Sequence, residues 1–402
     1  MRIIERAELK GARITVMGLG LNGGGMPTAR FLAEAGAIVT VTDMKDEEAL
    51  APSVAALDGL GIRFVLGRHD MEDFSGADMV IKNPGVRPDS PYLAVAKRVE
   101  TDLSIFFSLC DAPVVAVTGS KGKSTTSSAI AHILGQLGFR TFLGGNITLS
   151  PLSFANDAKK DDRVVLELSS WQLGDLKAKA LPKPLVSVMT RIVPDHLDRY
   201  GTMEAYVADK RLIYAQQDAS DWTICDADDP YGLDFGRETR ARTLYYGHAL
   251  PDGALGATIS PDGSAIAALP GFQRGCLVPA DIVLPGAHNR SNLAAAGLAA
   301  WAAGAAPEGI AAAAATFPGV EHRLELFAQK NGVSWCNDSA ATVPEAVAAA
   351  LGAFDRPIVL ITGGTDKRLD FTPVRSAYKR ARHIIDRKST RLNSRHRIRH
   401  RM

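Results

Sequence analysis

The stretch VVAVTGSKGKSTTSSAI, residues 114–130, decides how the rest of the chain is read. It opens on apolar and β-branched residues, as a strand buried on both faces requires. A glycine-rich turn carrying Lys123 and Ser124 follows, and then a run that reads as a helix. Strand, glycine turn and helix together make a phosphate cradle. Backbone N–H groups and the helix N-terminus face the anion, a lysine reaches a terminal phosphate, and a hydroxyl suits Mg²⁺. The usual nucleotide loop has four residues between its first glycine and its Gly-Lys pair, but Gly119 and Gly122 enclose only two. Gly119, Ser120, Lys121, Gly122, Lys123, Ser124 and Thr125 are the candidate contacts of this shortened loop; the bland alternative is a strand–helix turn with no ligand.

Working outward toward the N-terminus, strands and helices alternate. RITVMGLG (13–20) reads as a strand entering a turn, and GMPTARFLAEAG (25–36) as a helix with Pro27 in its first turn and Gly36 at its stop. AIVTVTD (37–43) and ADMVIKNPGV (77–86) are further strands. Such repetition predicts an α/β fold with a parallel sheet covered on both faces. GLGLNG (18–23) matches GxGxxG after a strand, with Asp43 at the end of the next one. That is a dinucleotide fingerprint, which by itself leaves open NAD, another nucleotide, or a packing turn beside a solvated acid.

Beyond the loop, RVVLELSSWQL (163–173) places Glu167 at the carboxyl end of a buried strand. There it suits Mg²⁺ beside Ser124, or an edge ion pair. PDHLDRYG (194–201) sets His196 between Asp195 and Asp198, as a metal or phosphate ligand. YVADKRLIY (206–214) has Lys210 in a helical pattern, where spacing alone predicts a solvated face. In GAHNRSN (286–292), Asn289 and Asn292 are three apart on a helix start; their amides can share a face and read adenine, or Asn289 can cap the helix. Arg323 in EHRLE suits a phosphate chain or a surface ion pair. Asp338 lies in NDS, and Lys367 follows a glycine pair in GGTDKRLDF (363–371).

At 402 residues the chain has room for two or three domains, and 46% hydrophobic with 22% charged residues is ordinary for a globular protein. Boundaries are expected near Asp111–Pro113 and Phe317–Gly319, giving segments 1–111, 112–317 and 318–386. Residues 249–270, rich in Gly, Pro, Ala and Asp, suggest hairpins. Cys110, Cys225, Cys276 and Cys336 are scattered, which argues against a disulfide framework or zinc site. The N-terminus lacks the layout of a secretion signal, and the longest apolar run, 293–306, is too short and too rich in Ala and Gly to span a bilayer. A cytoplasmic protein with no membrane partner is expected. Net charge is +2, yet residues 387–402 hold seven Lys/Arg and no acid, so the remainder is net acidic. This aperiodic tail reads as foreign or disordered, and no nucleic-acid partner is expected.

Taken in order, TGSKGKST, GGN, ELSS, DHLDRYG, the lysine helix, HNRSN, HR and NDS resemble the Mur ligase family of peptidoglycan synthesis, over about residues 13–371. The wording GLGLNG, GGNI and ELSSWQL looks most like the branch that adds glutamate to UDP-N-acetylmuramoyl-L-alanine. The resemblance implies three domains: a Rossmann-like one for the UDP-sugar, a central P-loop ATPase, and a C-terminal Rossmann-like one, here incomplete. It implies an ATP-dependent, ADP-forming ligase working through an acyl phosphate, with D-glutamate favoured, L-glutamate the variant, and a monomer. Leu21, Asn22, Asp43, Asn83, Gly85 and Asn146 then belong to the UDP-sugar, and Asn289, Asn292, Arg323 and Asp338 to ATP. Ser124 and Glu167 hold one Mg²⁺. Lys210, carbamylated in this family, and His196 serve a second; Lys123, His196 and Lys210 are the catalytic set, and Lys367 meets glutamate.

Two features depart from the family. Ala340 stands where NDSKATN has its lysine, and after HIID the final strands of the family are replaced by the basic tail. The second departure implies a chain that binds the UDP-sugar but ligates poorly, or a non-catalytic UDP-sugar-binding fragment. A folylpolyglutamate synthase-like ligase is disfavoured by the long leader before the loop. An NAD oxidoreductase leaves the phosphate loop, Glu167 and DHLDRYG without a task.

Overall fold

In the computed structural model, residues 4–386 are described apart from 21–23, 148, 178, 180, 342 and 364–369. Leu21, Asn22, Lys367 and the basic tail 387–402 lie outside the described residues.

The architecture is α/β, as the strand–helix alternation requires. The first sheet contains β1 (Arg13–Met17), β2 (Ile38–Asp43), β3 (Arg63–Leu66), β4 (Met79–Lys82) and β5 (Val99–Glu100), all parallel, in the order β3-β2-β1-β4-β5. The order reverses between β1 and β4, so their carboxyl ends open a crevice where such sheets bind ligands. The turn after β1 is pinned from β2. Asp43 accepts hydrogen bonds from the Leu19 and Gly20 amides on Oδ2 (2.9 and 3.1 Å) and from the Lys45 amide on Oδ1 (2.9 Å). The helix Gly25–Glu34 begins so close to this turn that a Cβ on Gly25 would sit 2.2 Å from the Gly18 carbonyl oxygen.

The second sheet is larger. Its strands are β6 (Val114–Thr118), β7 (Thr141–Gly145), β8 (Arg163–Glu167), β9 (Val186–Met189), β10 (Trp222–Asp226), β11 (Arg242–Gly247), β12 (Gly256–Ile259), β13 (Ala265–Leu269) and β14 (Phe272–Val278). They run in the order β14-β13-β12-β11-β10-β9-β6-β8-β7. Pairing is parallel from β7 across to β12 and antiparallel from β12 to β14, where the Gly/Pro-rich segment forms its hairpins. Every residue of β6 is buried, consistent with a central strand covered by helices on both faces. The helices Lys123–Gln136 and Ala287–Ala302 cover one face together, and the small alanine side chains let them approach closely.

After Phe317 the described chain forms a hairpin of β15 (Glu325–Lys330) with β16 (Val333–Asn337), the helix Pro344–Gly352, and a parallel pair of β17 (Ile358–Thr362) with β18 (Ala381–Asp386). The first two sheets are joined by one apolar seam. Leu103, Ile105 and Phe106 belong to the same buried cluster as Leu152 and Phe154, and Phe106 meets Phe154 edge-on with ring centroids 5.9 Å apart. Among the described residues no helix is long and apolar enough to cross a membrane.

Candidate active site

The carboxyl ends of β6, β8 and β9 converge on one place. After β6 the chain turns through Gly119 and Gly122 with φ of 147° and 93°, and the helix Lys123–Gln136 starts without a side-chain cap. Its first-turn N–H groups are therefore left for an anion. Neither glycine tolerates a side chain. A Cβ on Gly119 would fall 1.9 Å from Thr190 Oγ1, and one on Gly122 would fall 2.4 Å from Asn292 Oδ1. The Ser120 and Lys121 amides are already committed, both donating to the Arg191 carbonyl (2.9 and 3.3 Å). Ser120 Oγ bonds to Val193 and to the Tyr206 hydroxyl (2.9 Å each). These two residues brace the loop against the segment after β9, which leaves the uncapped amides from Gly122 to Thr125 for the anion. The spacing from Gly119 to Gly122 gave no sign of this division, because the carbonyl that claims the two amides lies about seventy residues further along the chain.

Lys123 folds back over the loop. Its Nζ donates to the Gly119 and Ser120 carbonyls (3.0 and 3.1 Å). Lys210, in the helix Met203–Arg211, is 1% exposed, and its Nζ donates to the same Gly119 carbonyl (2.8 Å) while lying 4.5 Å above the Tyr206 ring. The solvated face that helical spacing predicts for Lys210 is thus corrected: this lysine points into the protein because the loop after β6 supplies an acceptor there. Two ammonium groups on one carbonyl oxygen repel. Burial pushes Lys210 well below the usual lysine range, and Lys123 adds to the shift against Asp195, Glu167 and Asp209. Burial lowers Lys123 too, with Lys121 and Arg323 adding to it and Glu167 and Asp195 opposing it. Burial pushes the Tyr206 phenol up to about 12, so it stays neutral beside them.

Glu167 closes the opposite side. It is 2% exposed; Oε1 accepts from Asn146 Nδ2 (2.9 Å), while Oε2 is buried without any partner. A buried carboxylate oxygen with nothing to accept from costs free energy unless a cation arrives. His196 sits at φ 53°, a left-handed conformation, ahead of the short helix Leu197–Tyr200. Its ring lies 5.0 Å from that of Trp171, and its amide is held by Asp195, which also pairs with Lys121 at 3.4 Å.

Lys123, Lys210, Asp195 and His196 line a cleft of about 540 Å³ that runs between the two large sheets, a volume suited to a substantial small molecule; Glu167 lies outside its wall, behind Asn146. Of the predicted residues, Asn83, Gly85, Lys123, Asn146, His196 and Lys210 meet in it. Asn83 shapes its own turn by accepting the Gly85 amide (3.0 Å). Asp43 is not part of the cleft wall; it holds the neighbouring loop, and Lys45, two residues on, lines the cleft instead. Trp171 and Tyr206 also line it and were missing from the sequence-based candidates. Periodicity gives no signal for them, since both read as ordinary core aromatics.

The asparagine pair lies behind the loop. Asn292 Nδ2 donates to Asn289 Oδ1 (3.1 Å), and Asn289 Nδ2 donates to the Pro285 carbonyl (2.6 Å). The helix cap is Gly286, not Asn289. Arg323 stands between His322 and Leu324, both at positive φ (64° and 49°), and Asp338 accepts the Leu324 amide (3.0 Å), so Arg323 and Asp338 are held as a unit. The Ala340 amide donates to the His322 carbonyl (3.0 Å), which places this departure from the family pattern at the same unit.

Residues 117–300 match the Mur ligase middle domain, and residues 12–104 match the Mur ligase MurD-like N-terminal domain. The chain is 40% identical over 448 residues to a UDP-N-acetylmuramoylalanine--D-glutamate ligase of Treponema pallidum, covering 94% of this chain and 84% of that protein. It is 42% identical over 383 residues to a protein of the same name from Roseiflexus, covering 90% and 80%. Two solved structures share the fold. UDP-N-acetylmuramate-alanine ligase from Thermotoga maritima superposes with a TM-score of 0.61 at 21% identity, covering 94% of this chain and 86% of that one. A MurF ligase from Thermotoga maritima in complex with ADP gives 0.55 at 19% identity, covering 96% and 83%.

Proposed function

Because the chain belongs to the Mur ligase family, we propose that it is an ATP-dependent, amide-bond-forming ligase that joins D-glutamate to UDP-N-acetylmuramoyl-L-alanine. The observation that carries the mechanism is the convergence of Lys123 and Lys210 on the Gly119 carbonyl, with the unpartnered oxygen of Glu167 buried alongside.

The L-alanine carboxylate of the substrate attacks the γ-phosphorus of ATP; the new O–P bond forms as the bond to ADP breaks. Both reactants are anionic, and Lys123 supplies positive charge where they approach. The product is a mixed anhydride with a good leaving group. A neutral glutamate amine attacks its carbonyl carbon, phosphate departs, and the nitrogen loses its proton as the amide forms. Asn83 and Gly85 on one wall and Asn146 on the other contact the UDP-sugar, with Asp43 fixing the Leu19–Gly20 turn; Leu21 and Asn22 keep the sugar-nucleotide role implied by the family. Gly122–Thr125 and Ser124 receive the phosphates, braced by Ser120 and Lys121; Asn289 and Asn292 take the adenine side, and Arg323 and Asp338 the phosphate and ribose. Lys367 keeps the glutamate role implied by the family.

The donor chemistry fits Mg²⁺. Glu167, whose Oε2 is buried without a partner, and the Ser124 hydroxyl would be its protein oxygen ligands. Mg²⁺ favours such sparse protein ligation, completed by phosphate and water, and when bound it supplies charge neutralisation at the phosphate oxygens. His196, which lines the same cleft as Lys123, would serve a second ion, as the family implies. Lys210 is suited to carbamylation: burial and the neighbouring Lys123 lower its basicity, which favours the free amine that adds to CO₂ with loss of a proton. The anionic product relieves the repulsion with Lys123 and offers oxygen ligands beside His196.

Phosphate release with ATP, Mg²⁺, UDP-N-acetylmuramoyl-L-alanine and each glutamate enantiomer tests the reading. Turnover with the D enantiomer alone is expected. Turnover with L-glutamate alone, or with neither while ATP still binds, overturns it.

A further inference from the structure

The two walls of the cleft are tied together by a buried ion pair outside the reacting centre. Lys82 is the last residue of β4, followed directly by Asn83, Pro84 and Gly85, which form one wall. Asp175 lies in the helix Ser170–Leu176, whose first turn carries Ser170, Trp171 and Gln172 on the facing wall. The Lys82 ammonium donates to Asp175 across the junction, with the side chains 4% and 9% exposed. Further links flank this contact. Lys179 pairs with Glu100 at 3.8 Å, and Ser150 bonds to Asp102 while lying 3.4 Å from the Thr28 hydroxyl.

Holding the sheets together does not require this pair, because the apolar seam through Phe106 and Phe154 already does that. A buried ion pair gains little net stability, since desolvation of both charges offsets their attraction. What it supplies, and apolar packing does not, is one defined separation and direction between two backbones. We propose that Lys82 and Asp175 are a positioning pair that sets the spacing between the Asn83–Gly85 turn and the Ser170–Gln172 turn, and so the fit of the ligand that spans both walls. That this ligand is the nucleotide-linked sugar rests on the function proposed above; the geometric role does not. Lys82 is one residue from the turn it aims, so a small shift of its anchor moves Asn83 and Gly85 directly, and displacements of about 1 Å are enough to cost a reaction roughly 100-fold.

The decisive comparison is between single and double variants. Lys82→Met and Asp175→Leu each strand a buried charge, so loss of folding in either is uninformative by itself. The double variant Lys82→Met/Asp175→Leu removes both charges, and its melting temperature is expected within about 3 °C of the parent. Two readouts on this variant carry the test. Hydrogen exchange of the Gly85 and Val86 amides, held in the parent by Asn83, is expected to quicken about tenfold without ligand. KM for UDP-N-acetylmuramoyl-L-alanine is expected to rise about tenfold while KM for ATP stays within about twofold. A double variant with parental exchange at Gly85 and Val86 overturns the positioning role. So does one in which both KM values rise together with a fall in melting temperature. If the parent shows no ligase turnover, the proposed function fails, while the exchange measurement still decides the role of the pair.

Discussion

At the scale of single residues, the chemistry is concentrated on one carbonyl oxygen. Gly119 accepts from two lysines that arrive from different helices, and burial makes both poorer cations than lysine in water. Lys210→Ala is expected to lower kcat roughly 100- to 1,000-fold. Because only the neutral amine reacts with CO₂, parental activity in CO₂-free buffer is expected to fall and to recover on adding bicarbonate, whereas the variant shows no response; steady-state assays in degassed buffer check this. Glu167→Gln keeps an acceptor for Asn146 but removes the charge behind the unpartnered oxygen, so the Mg²⁺ concentration for half-maximal activity is expected to rise about 10- to 100-fold. Away from the cleft, Asp226 at the end of β10 is buried near Asp228 and Asp229, and burial pushes its carboxyl up to about 6 from 3.8. Its contribution to stability is complete below 3.8 and is lost as pH rises through about 6. Asp226→Asn is therefore expected to be more stable than the parent at pH 8, by at most about 3 kcal/mol, with the difference shrinking toward pH 5. Urea titrations at both pH values measure it.

Elements differ in how much of their role a sequence can carry. The strand β6 and the glycine turn after it were legible because hydrophobicity and backbone freedom are local properties. Gly36 ends its helix at φ 85°, as its position after an apolar run implies. Two glycines on either side of this limit make a direct test. Gly135, in the last turn of the helix Lys123–Gln136, has nothing within 4 Å of a built Cβ, and Gly135→Ala is expected to stabilise by about 0.5–1 kcal/mol. Gly119→Ala meets Thr190 at 1.9 Å and requires φ of 147°, so it is expected to lose about 2 kcal/mol or more together with ATP binding. Chemical denaturation distinguishes the two. The sequence marks Gly119 as a loop glycine, but how tightly the fold closes on it, with Thr190 against it and open space at Gly135, is decided by distant residues. Lys210 illustrates the same limit, since a lysine at helical spacing carries no record of a carbonyl ninety-one residues away.

For the whole molecule, the cleft is a joint product of two sheets, so ligands that touch both are expected to stabilise the fold by linkage. UDP-N-acetylmuramoyl-L-alanine at about 100 times its Kd should add roughly 2.7 kcal/mol to the unfolding free energy, and thermal denaturation with and without it measures the gain. The amino-acid sequence by itself determined the strand–helix alternation, the phosphate loop, the acid at the end of β8 and the resemblance to a ligase family, because each is written in hydrophobic period, turn chemistry or a contiguous motif. Tertiary structure alone decided that Ser120 and Lys121 brace the loop through Arg191, that Asp43 stands outside the cleft wall and holds the turn whose Gly20 lines it, that Trp171 and Tyr206 line the cleft, and that Lys82 finds Asp175 across the junction. The physical reason is that a side chain's partner, its burial and hence its charge depend on which distant backbone lies a few ångströms away. Local pattern fixes which face of an element turns inward, but not what it will meet there.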